Sequence, residues 1–236
     1  MLFGLGLLLM ILGMVFHHAP QAVGADGAID PRATLGQRLW ANLLVNSYFF
    51  GGIALGSTFF YALQYAAQVS WSTVFMRIFS AINSFLPIGL GLIFIIFIAG
   101  RLGLHHLYMW QNQDVYDKTK PAYDAILNHK HPYFADLFFW GRTIVFMGGY
   151  ILYERWARKN TLAEDSMRVD QSGPNWNLNI KNAAIFIVFF GFTSSVFSWD
   201  TIMSVDTHWY STLFGWYNFA GWWIGALIVA NLLVMH

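Results

Sequence analysis

The sequence contains no cysteine and little charge, and both shortages limit what the chain can be. Only 11% of its 236 residues are charged, whereas soluble domains carry about 25%. The lack of cysteine excludes disulfides, thiolate zinc sites, covalently attached c-type haem and iron–sulfur clusters held by this chain. With a net charge of +1 and no basic cluster, nothing in the sequence suits nucleic-acid binding.

The sequence is instead rich in long apolar runs, which are typical of a polytopic helical membrane protein. It is 57% hydrophobic and contains 22 Phe, 11 Trp and 11 Tyr. We predict an all-α fold with one transmembrane helical domain over residues 1–236. The six predicted spans cover residues 1–16, 39–68, 74–99, 133–153, 182–203 and 213–236. Because the last span has no charged flank, we expect the sequence to be truncated at its C-terminus.

The second predicted span carries two features that indicate helix packing. In the second span, helical periodicity places a polar stripe on one face, which we expect to look into a bundle. The stripe consists of Asn42, Asn46, Ser57 and Gln64. Gly52 and Gly56 lie on an adjacent face and predict close approach of another helix. Helix packing alone is the favoured interpretation of both features.

Proline and arginine interrupt the third and fourth spans. Pro87, followed by Gly89 and Gly91, predicts a kink or local unwinding, because proline removes a backbone donor. Arg142 lies in the first half of the fourth span, where it either reaches back to the interface or pairs with an acid. Asp136 is one candidate for that acid.

The stretch from 198 to 216 joins the last two spans and concentrates ionisable groups among aromatic residues. Asp200, Asp206 and His208 lie there, where a span is expected to end. Ionisable groups at membrane depth mark paths for protons, ions or substrates. The alternative is an interfacial loop with an aromatic belt, which Trp199, Trp209, Tyr210 and Trp216 also suit.

Six spans determine which connecting segments share a side of the membrane. Segments 17–38, 100–132 and 204–212 fall on one side, and segments 69–73 and 154–181 on the other. Seven of the eight histidines then share the first side with Asp136, Asp200 and Asp206, which indicates a site there. The alternative is that water-facing loops simply hold histidines. Lysine and arginine number six on each side, so the positive-inside rule gives no orientation.

Histidine ligation of a metal or haem is a further alternative. A b-type haem between helices takes histidines from within two spans, but no histidine lies mid-span here. Ligation at the rim stays open, for instance by His18 with His106. The pair His129 and His131 is too unspecific in its spacing to predict zinc or iron binding.

Motifs along almost the whole chain resemble those of a known family. In the first half they are Trp40-Ala41-Asn42-Leu43-Leu44, Ile53-Ala54-Leu55-Gly56, Gln64-Tyr65-Ala66-Ala67-Gln68, Ser84-Phe85-Leu86-Pro87 and His105-His106-Leu107-Tyr108. In the second half they are Phe138-Phe139 with Arg142, Thr193-Ser194-Ser195, Trp199-Asp200, Ile202-Met203-Ser204 and His208-Trp209-Tyr210-Ser211-Thr212. Their order resembles that of the ActF membrane proteins of bacterial alternative complex III, which are relatives of the NrfD and polysulfide-reductase membrane subunits. The chain departs from the family pattern at Thr207, where proline is usual, and at Phe134-Ala135, where Leu-Asn is favoured.

The resemblance implies a subunit of a respiratory quinol:electron-acceptor oxidoreductase in the bacterial inner (cytoplasmic) membrane. Quinol gives electrons to iron–sulfur and multihaem c-type cytochrome subunits, and then to a cytochrome c or an oxidase. The subunit itself is expected to hold no redox centre, and a companion membrane subunit of similar fold is the firmer candidate for quinol oxidation. The histidine-rich side then faces the periplasm, and family members continue through further spans.

These expectations combine into a hypothesis for the site. Asp200, Asp206 and His208 form a proton-handling group, and Arg142 or His106 supplies opposite charge or hydrogen bonds to it. The stripe of Asn42, Asn46, Ser57 and Gln64 continues a wet path inwards. Two other classes of function stay open: a secondary transporter, which shares kinked helices with polar residues at depth, and a purely structural membrane anchor.

Overall fold

The computed structural model describes residues 35–164 and 173–235, and within these ranges every regular element is helical. The helices are α1 Leu35–Ala66, α2 Met76–Asn83, α3 Leu86–Arg101, α4 Ala125–Phe134, α5 Asp136–Glu164, α6 Gly173–Thr201 and α7 Phe214–Val234. Short 3₁₀ turns occupy Trp71–Val74, Met109–Gln111, Gln113–Tyr116 and Met203–Val205. The all-helical prediction is confirmed for this part of the chain.

Four stretches of the described chain are long and apolar enough to cross a membrane. They are Gly36–Ala66, Met76–Arg101, Asn175–Val205 and Phe214–Val234. They coincide with four predicted spans, so the chain is a helical membrane protein by length and composition. The predicted span 133–153 coincides with α5, which is long enough but is not among these four. The predicted span 1–16 lies outside the described residues.

Helix α1 is in contact with most of the other long helices, and small residues allow it to lie close to them. A Cβ atom built on Gly52 would lie 2.0 Å from Trp222 Nε1, and one on Gly56 would lie 2.6 Å from the Trp222 carbonyl oxygen. Helix α7 therefore crosses α1 at the two predicted glycines, and that prediction is confirmed. On another face of α1, a Cβ atom on Gly89 would lie 2.7 Å from Gly51 Cα, which brings α3 equally close.

The predicted kink lies directly before Pro87. Helix α2 ends at Asn83 and α3 begins at Leu86, with Pro87 in its first turn. Between them the chain forms 3₁₀-type bonds, from Ser84 N to Ala81 O (3.3 Å) and from Phe85 N to Ile82 O (3.1 Å). Proline is tolerated in the first turn of a helix and disfavours helical structure before it, which explains the position of the break.

The predicted inward-facing stripe on α1 is correct for only one half of the helix. Ser57 is fully buried and Gln64 is 5% exposed. Asn42 and Asn46 are exposed, and Asn46 Nδ2 donates back to the carbonyl of Asn42 at 2.8 Å. The expectation that all four face the bundle interior is therefore wrong for Asn42 and Asn46. Within the described residues, nothing buries this face near the start of α1.

The connecting segments gather at two ends of the bundle as predicted. At one end, His106 N donates to Gln37 Oε1 (3.1 Å) and Tyr108 OH donates to the carbonyl of Thr201 (2.8 Å). We call this end, formed by residues 102–135 and 202–213, the histidine-rich end. At the opposite end, Arg77 Nη2 donates to the carbonyl of Thr161 at 3.2 Å.

Candidate functional site

A buried ion pair between α5 and α6 is the centre of the candidate site. Arg142 Nε donates to Asp200 Oδ2 at 2.7 Å, and Arg142 Nη2 donates to Asp200 Oδ1 at 2.8 Å. The two residues are 8% and 3% exposed. Such two-point pairing is the strongest arrangement that arginine makes with a carboxylate, and it fixes the relative position of the two helices.

Tyr133 completes this group from the end of α4. Its hydroxyl donates to Asp200 Oδ1 at 2.7 Å, and its carbonyl accepts from Arg142 Nη1 at 2.8 Å. The guanidinium carbon of Arg142 lies 3.8 Å from the centre of the Tyr133 ring, which adds a cation–π contact. Tyr133 was not among the site residues predicted from the sequence. The feature of the sequence that could have pointed to Tyr133 is its position after Pro132, at the end of a short helix that begins with the N-cap residue Asp124.

Two partner predictions for Arg142 can now be compared with the structure. Arg142 pairs with Asp200, as one hypothesis had it. The other candidate, Asp136, was wrong: it pairs instead with Arg101, at 2.6 Å between Oδ2 and Nη2, in an exposed position. His106 is also exposed, and the hydrogen bond from its backbone N–H to Gln37 does not involve its ring.

Asp206 and His208 do not form one group with Asp200. His208 Nε2 lies 2.8 Å from Asp124 Oδ2, and the backbone N–H of His208 donates to Asp206 Oδ1 at 3.1 Å. Asp206 and His208 are both exposed, whereas Asp200 is buried. Helix α6 ends at Thr201, and the turn that follows places the side chains of Asp206 and His208 at the surface. The prediction that these three residues form a single cluster is therefore wrong.

An aromatic cleft of 270 Å³ opens at the histidine-rich end next to Tyr133. It is lined by Lys130, Tyr133, Phe134, Trp199, Met203, Ser204, Asp206, Thr207, Trp209 and Tyr210. Thr207 is 3% exposed. Within the described ranges, its hydroxyl and the indole N–H of Trp199 are buried without a hydrogen-bond partner. The cleft thus combines aromatic walls with Tyr133, whose hydroxyl donates to Asp200, and the two unpartnered groups lie beneath its surface.

Interior polar groups are present elsewhere in the bundle, mostly as separate pairs. Ser57 Oγ donates to the carbonyl of Phe79 (3.2 Å), and the hydroxyls of Tyr150 and Thr193 lie 2.7 Å apart. Among the described residues, Gln64 Oε1 has no partner, and Gln64 lines a cavity of 180 Å³ at the opposite end. The predicted inward path therefore keeps Ser57 and Gln64, but no hydrogen bond between described residues links either of them to Asp200.

His105 anchors the segment that follows α3. Its Nε2 lies 2.9 Å from the carbonyl of Ile96, and its Nδ1 accepts from the backbone N–H of Leu107 at 3.3 Å. These contacts require a neutral ring with the proton on Nε2. Burial lowers the pKa of His105 below its ordinary value of 6.5. The adjacent His106 is exposed and serves as a natural comparison.

We expect His105 to make the stability of the protein depend on pH. Because its folded-state pKa is lowered, the unfolded chain binds the proton more readily. Its contribution is complete above about pH 6.5 and is lost as the pH falls towards the folded-state pKa. His105→Gln should therefore lose less thermal stability between pH 7.5 and pH 5 than the wild type, measured by unfolding in detergent. His106→Gln should follow the wild type, and equal slopes for all three proteins would contradict this account.

Comparisons with known proteins do not assign the chain to a family. The sequence matches no protein-family model and no curated protein.

Proposed function

We propose that the chain is an integral membrane subunit of a respiratory quinol-oxidising complex, and that the aromatic cleft is its quinone side. The observation that carries the proposal is the contact of Tyr133 with both the cleft and the buried Asp200. Quinone sites need apolar walls for the ring, donors for its oxygens and a route for protons. The resemblance of the motifs along the chain supports the same function.

The size of the cleft suits a quinone headgroup. Its 270 Å³ lies just below the range of about 300–1,000 Å³ for drug-sized ligands, so the ring fits and the isoprenoid tail stays in lipid. Trp209 and Tyr210 offer aromatic faces for the ring. The ammonium of Lys130, which also lines the cleft, favours loss of a proton from the quinol.

Tyr133 is the proposed first carrier of the proton. A quinol hydroxyl gives its proton to the Tyr133 oxygen while the Tyr133 proton passes to Asp200 Oδ1. Arg142 holds the carboxyl group in position throughout. Asp200 returns that proton through the Tyr133 hydroxyl to water at the mouth of the cleft, and the second proton of the quinol then follows the same route. The ring loses two protons and two electrons and becomes quinone, and the electrons pass to iron–sulfur and c-type haem centres in partner subunits.

The wider assembly follows from the same proposal. The chain forms a six-span bundle of the NrfD type, in which α5 is a span beyond the four apolar ones, and the predicted span 1–16 lies outside the described residues. It lies in the bacterial inner membrane with its histidine-rich end in the periplasm. Its partners are iron–sulfur and multihaem cytochrome c subunits and a second membrane subunit of similar fold. Ser57 and Gln64 are the interior residues retained for proton conduction.

Removing one hydroxyl tests the proposed relay. In the purified assembly, Tyr133→Phe should lower the rate of quinol oxidation about 100-fold, within the range of about 10²–10⁴ that a positioned proton acceptor supplies. Tyr116→Phe is the matched control, because it also removes a hydrogen-bonded hydroxyl, one that donates to the backbone carbonyl of Trp110 at 2.9 Å, and Tyr116 lies outside the cleft lining. Equal rates in both variants would remove Tyr133 from the mechanism.

A structural anchor is the second candidate function, and one observation favours it. Arg142 and Tyr133 already occupy both oxygens of Asp200, as they would in a pair that only holds helices together. In that case Tyr133→Phe reduces the yield of assembled complex and leaves the turnover of the remaining complex unchanged. Measuring both quantities on the same preparation separates the two functions.

A further inference from the structure

An apolar groove lies between α5 and α6, away from the histidine-rich end. It has a volume of 480 Å³. It is lined by Gly149, Leu152, Tyr153 and Trp156 on α5 and by Asn182, Ile185, Phe186 and Phe189 on α6. Two of these residues are strongly exposed, Leu152 at 70% and Ile185 at 58%. Because α6 is an apolar, membrane-length helix, these side chains are open to the bilayer.

The inner wall of the groove is rigid and aromatic. The rings of Tyr153 and Phe186 stack with their centres 4.0 Å apart and an angle of 11° between planes. A Cβ atom on Gly149 would lie 2.6 Å from Phe189 Cζ, so the glycine allows the edge of that ring to lie against α5. A smooth apolar wall of this kind suits a flexible hydrocarbon chain, and each methylene group buried there contributes favourable transfer free energy.

Basic residues stand at the outer end of the groove. On α5, Arg155 and Lys159 follow Leu152 at spacings of three and seven, which places them on the same face one and two turns further along. On α6, Lys181 precedes Ile185 by four residues and shares its face. All three cations are exposed, and no ion pair with them occurs in the described ranges.

Glu154, the nearest acid on α5, lies on the other side of the helix, and its carboxyl group interacts electrostatically with Arg155 and Arg158. Glu154 is 4% exposed and lies about 200° around the helix from Leu152, on the opposite face. Trp156 lies one turn beyond Leu152, next to Arg155 and before Lys159, and tryptophan is enriched at the boundary between hydrocarbon and headgroups. The groove therefore passes from an apolar wall to a rim of tryptophan and exposed positive charge.

We propose that this groove binds an anionic phospholipid, with one acyl chain against Tyr153 and Phe186 and the phosphate at Arg155, Lys159 and Lys181. The amide of Asn182 lies between the two regions, where the ester groups of the lipid fall. Charge decides the occupant, because a zwitterionic lipid offers no net charge to three clustered cations and a quinone offers none at all. The site is separate from the aromatic cleft and does not depend on the proposed respiratory function.

The proposal predicts a preference for anionic lipid that disappears when the rim is neutralised. The purified, delipidated full chain is titrated with phosphatidylglycerol or phosphatidylcholine in mixed micelles, and bound lipid is counted by native mass spectrometry. Phosphatidylglycerol should bind more tightly to the wild type. The variant with Arg155→Gln, Lys159→Gln and Lys181→Gln should lose about a hundredfold in affinity for it, at the strength expected for three basic residues near a membrane surface.

A charge-matched variant controls for net charge. Arg158→Gln, Lys118→Gln and Lys120→Gln remove the same number of positive charges from exposed positions outside the groove and should leave the affinity unchanged. Ile185→Trp should reduce binding of both lipids by filling the apolar part of the groove. Equal affinity of the wild type for the two lipids, or a full anionic preference in the rim variant, would overturn the proposal. Competition by glycerol phosphate as strong as by the lipid would also overturn it, since the site would then bind free phosphate.

Discussion

Replacing Arg142 with methionine is expected to lower the free energy of unfolding by about 3–5 kcal/mol, because it leaves the buried Asp200 carboxylate without its partner. The carboxylate then has only the Tyr133 hydroxyl as a side-chain donor among the described residues. Water does not replace the guanidinium, since Asp200 is 3% exposed. Unfolding in mixed detergent micelles, followed by circular dichroism, measures the change.

Two comparisons make this result specific to the buried pair. Arg101→Met breaks the exposed pair with Asp136 and should cost only about 0–1 kcal/mol. The double variant with Arg142→Met and Asp200→Leu removes both charges and should regain most of the lost stability. If Arg142→Met and Arg101→Met had the same effect, the ion pair of Arg142 would not be the buried contact described here.

The second large effect is expected at Gly56. A methyl group there meets the backbone of Trp222, at 2.6 Å from its carbonyl oxygen, so Gly56→Ala forces α7 away from α1. We expect a loss of about 3 kcal/mol, the upper part of the usual range for overpacking. The same unfolding titration measures it, and the yield of folded protein in membranes should fall with it.

Alanine substitutions at other glycines distinguish the effect of steric crowding on stability from the effect of losing a glycine. A Cβ atom on Gly91 has no neighbour within 4 Å, so Gly91→Ala should be neutral or stabilise by up to about 1 kcal/mol. The clash at Gly52 is with the side chain of Trp222, so Trp222→Ala should relieve Gly52→Ala but not Gly56→Ala. A Gly56→Ala protein as stable as the wild type would show that the helices are not in contact there.

Local patterns predicted the packing of the helices better than they predicted the partners of the charged groups. The spacing of Gly52 and Gly56 and the position of Pro87 each act through the backbone of their own helix, so the sequence was enough. The partner of Arg142 was harder to predict, because it lies far from Arg142 in the sequence. Helical geometry does exclude Asp136, since residues six apart on a helix do not share a face. It could not identify Asp200, which lies on another helix.

The remaining errors arose because neighbouring helices determine which residues are buried and which residues pair. Periodicity correctly placed Asn42 and Gln64 on one face of α1, but only the positions of other helices determine which half of that face is buried. His208 was expected near Asp200 because the two are close in sequence. The end of α6 separates them, and Asp124, the N-cap of a helix in a segment interpreted only as polar, takes His208 instead.

The proposed function requires quinone to bind in the aromatic cleft. The cleft, the Tyr133 hydroxyl and the Asp200–Arg142 pair lie in contact in that order. Each later step of the proposal, from proton transfer to partner choice, requires a ring bound beside Tyr133. Rate measurements alone test this indirectly, because a change in assembly also changes the rate.

Photolabelling of the purified assembly is the most direct test. A short-chain azido-benzoquinone, with its naphthoquinone counterpart tried in parallel, is activated by light, and the labelled peptides are identified by mass spectrometry. The account predicts label on the segment from Met203 to Tyr210 that unlabelled quinol removes by competition. Label confined to other subunits, or label on this segment that quinol does not compete away, would contradict it.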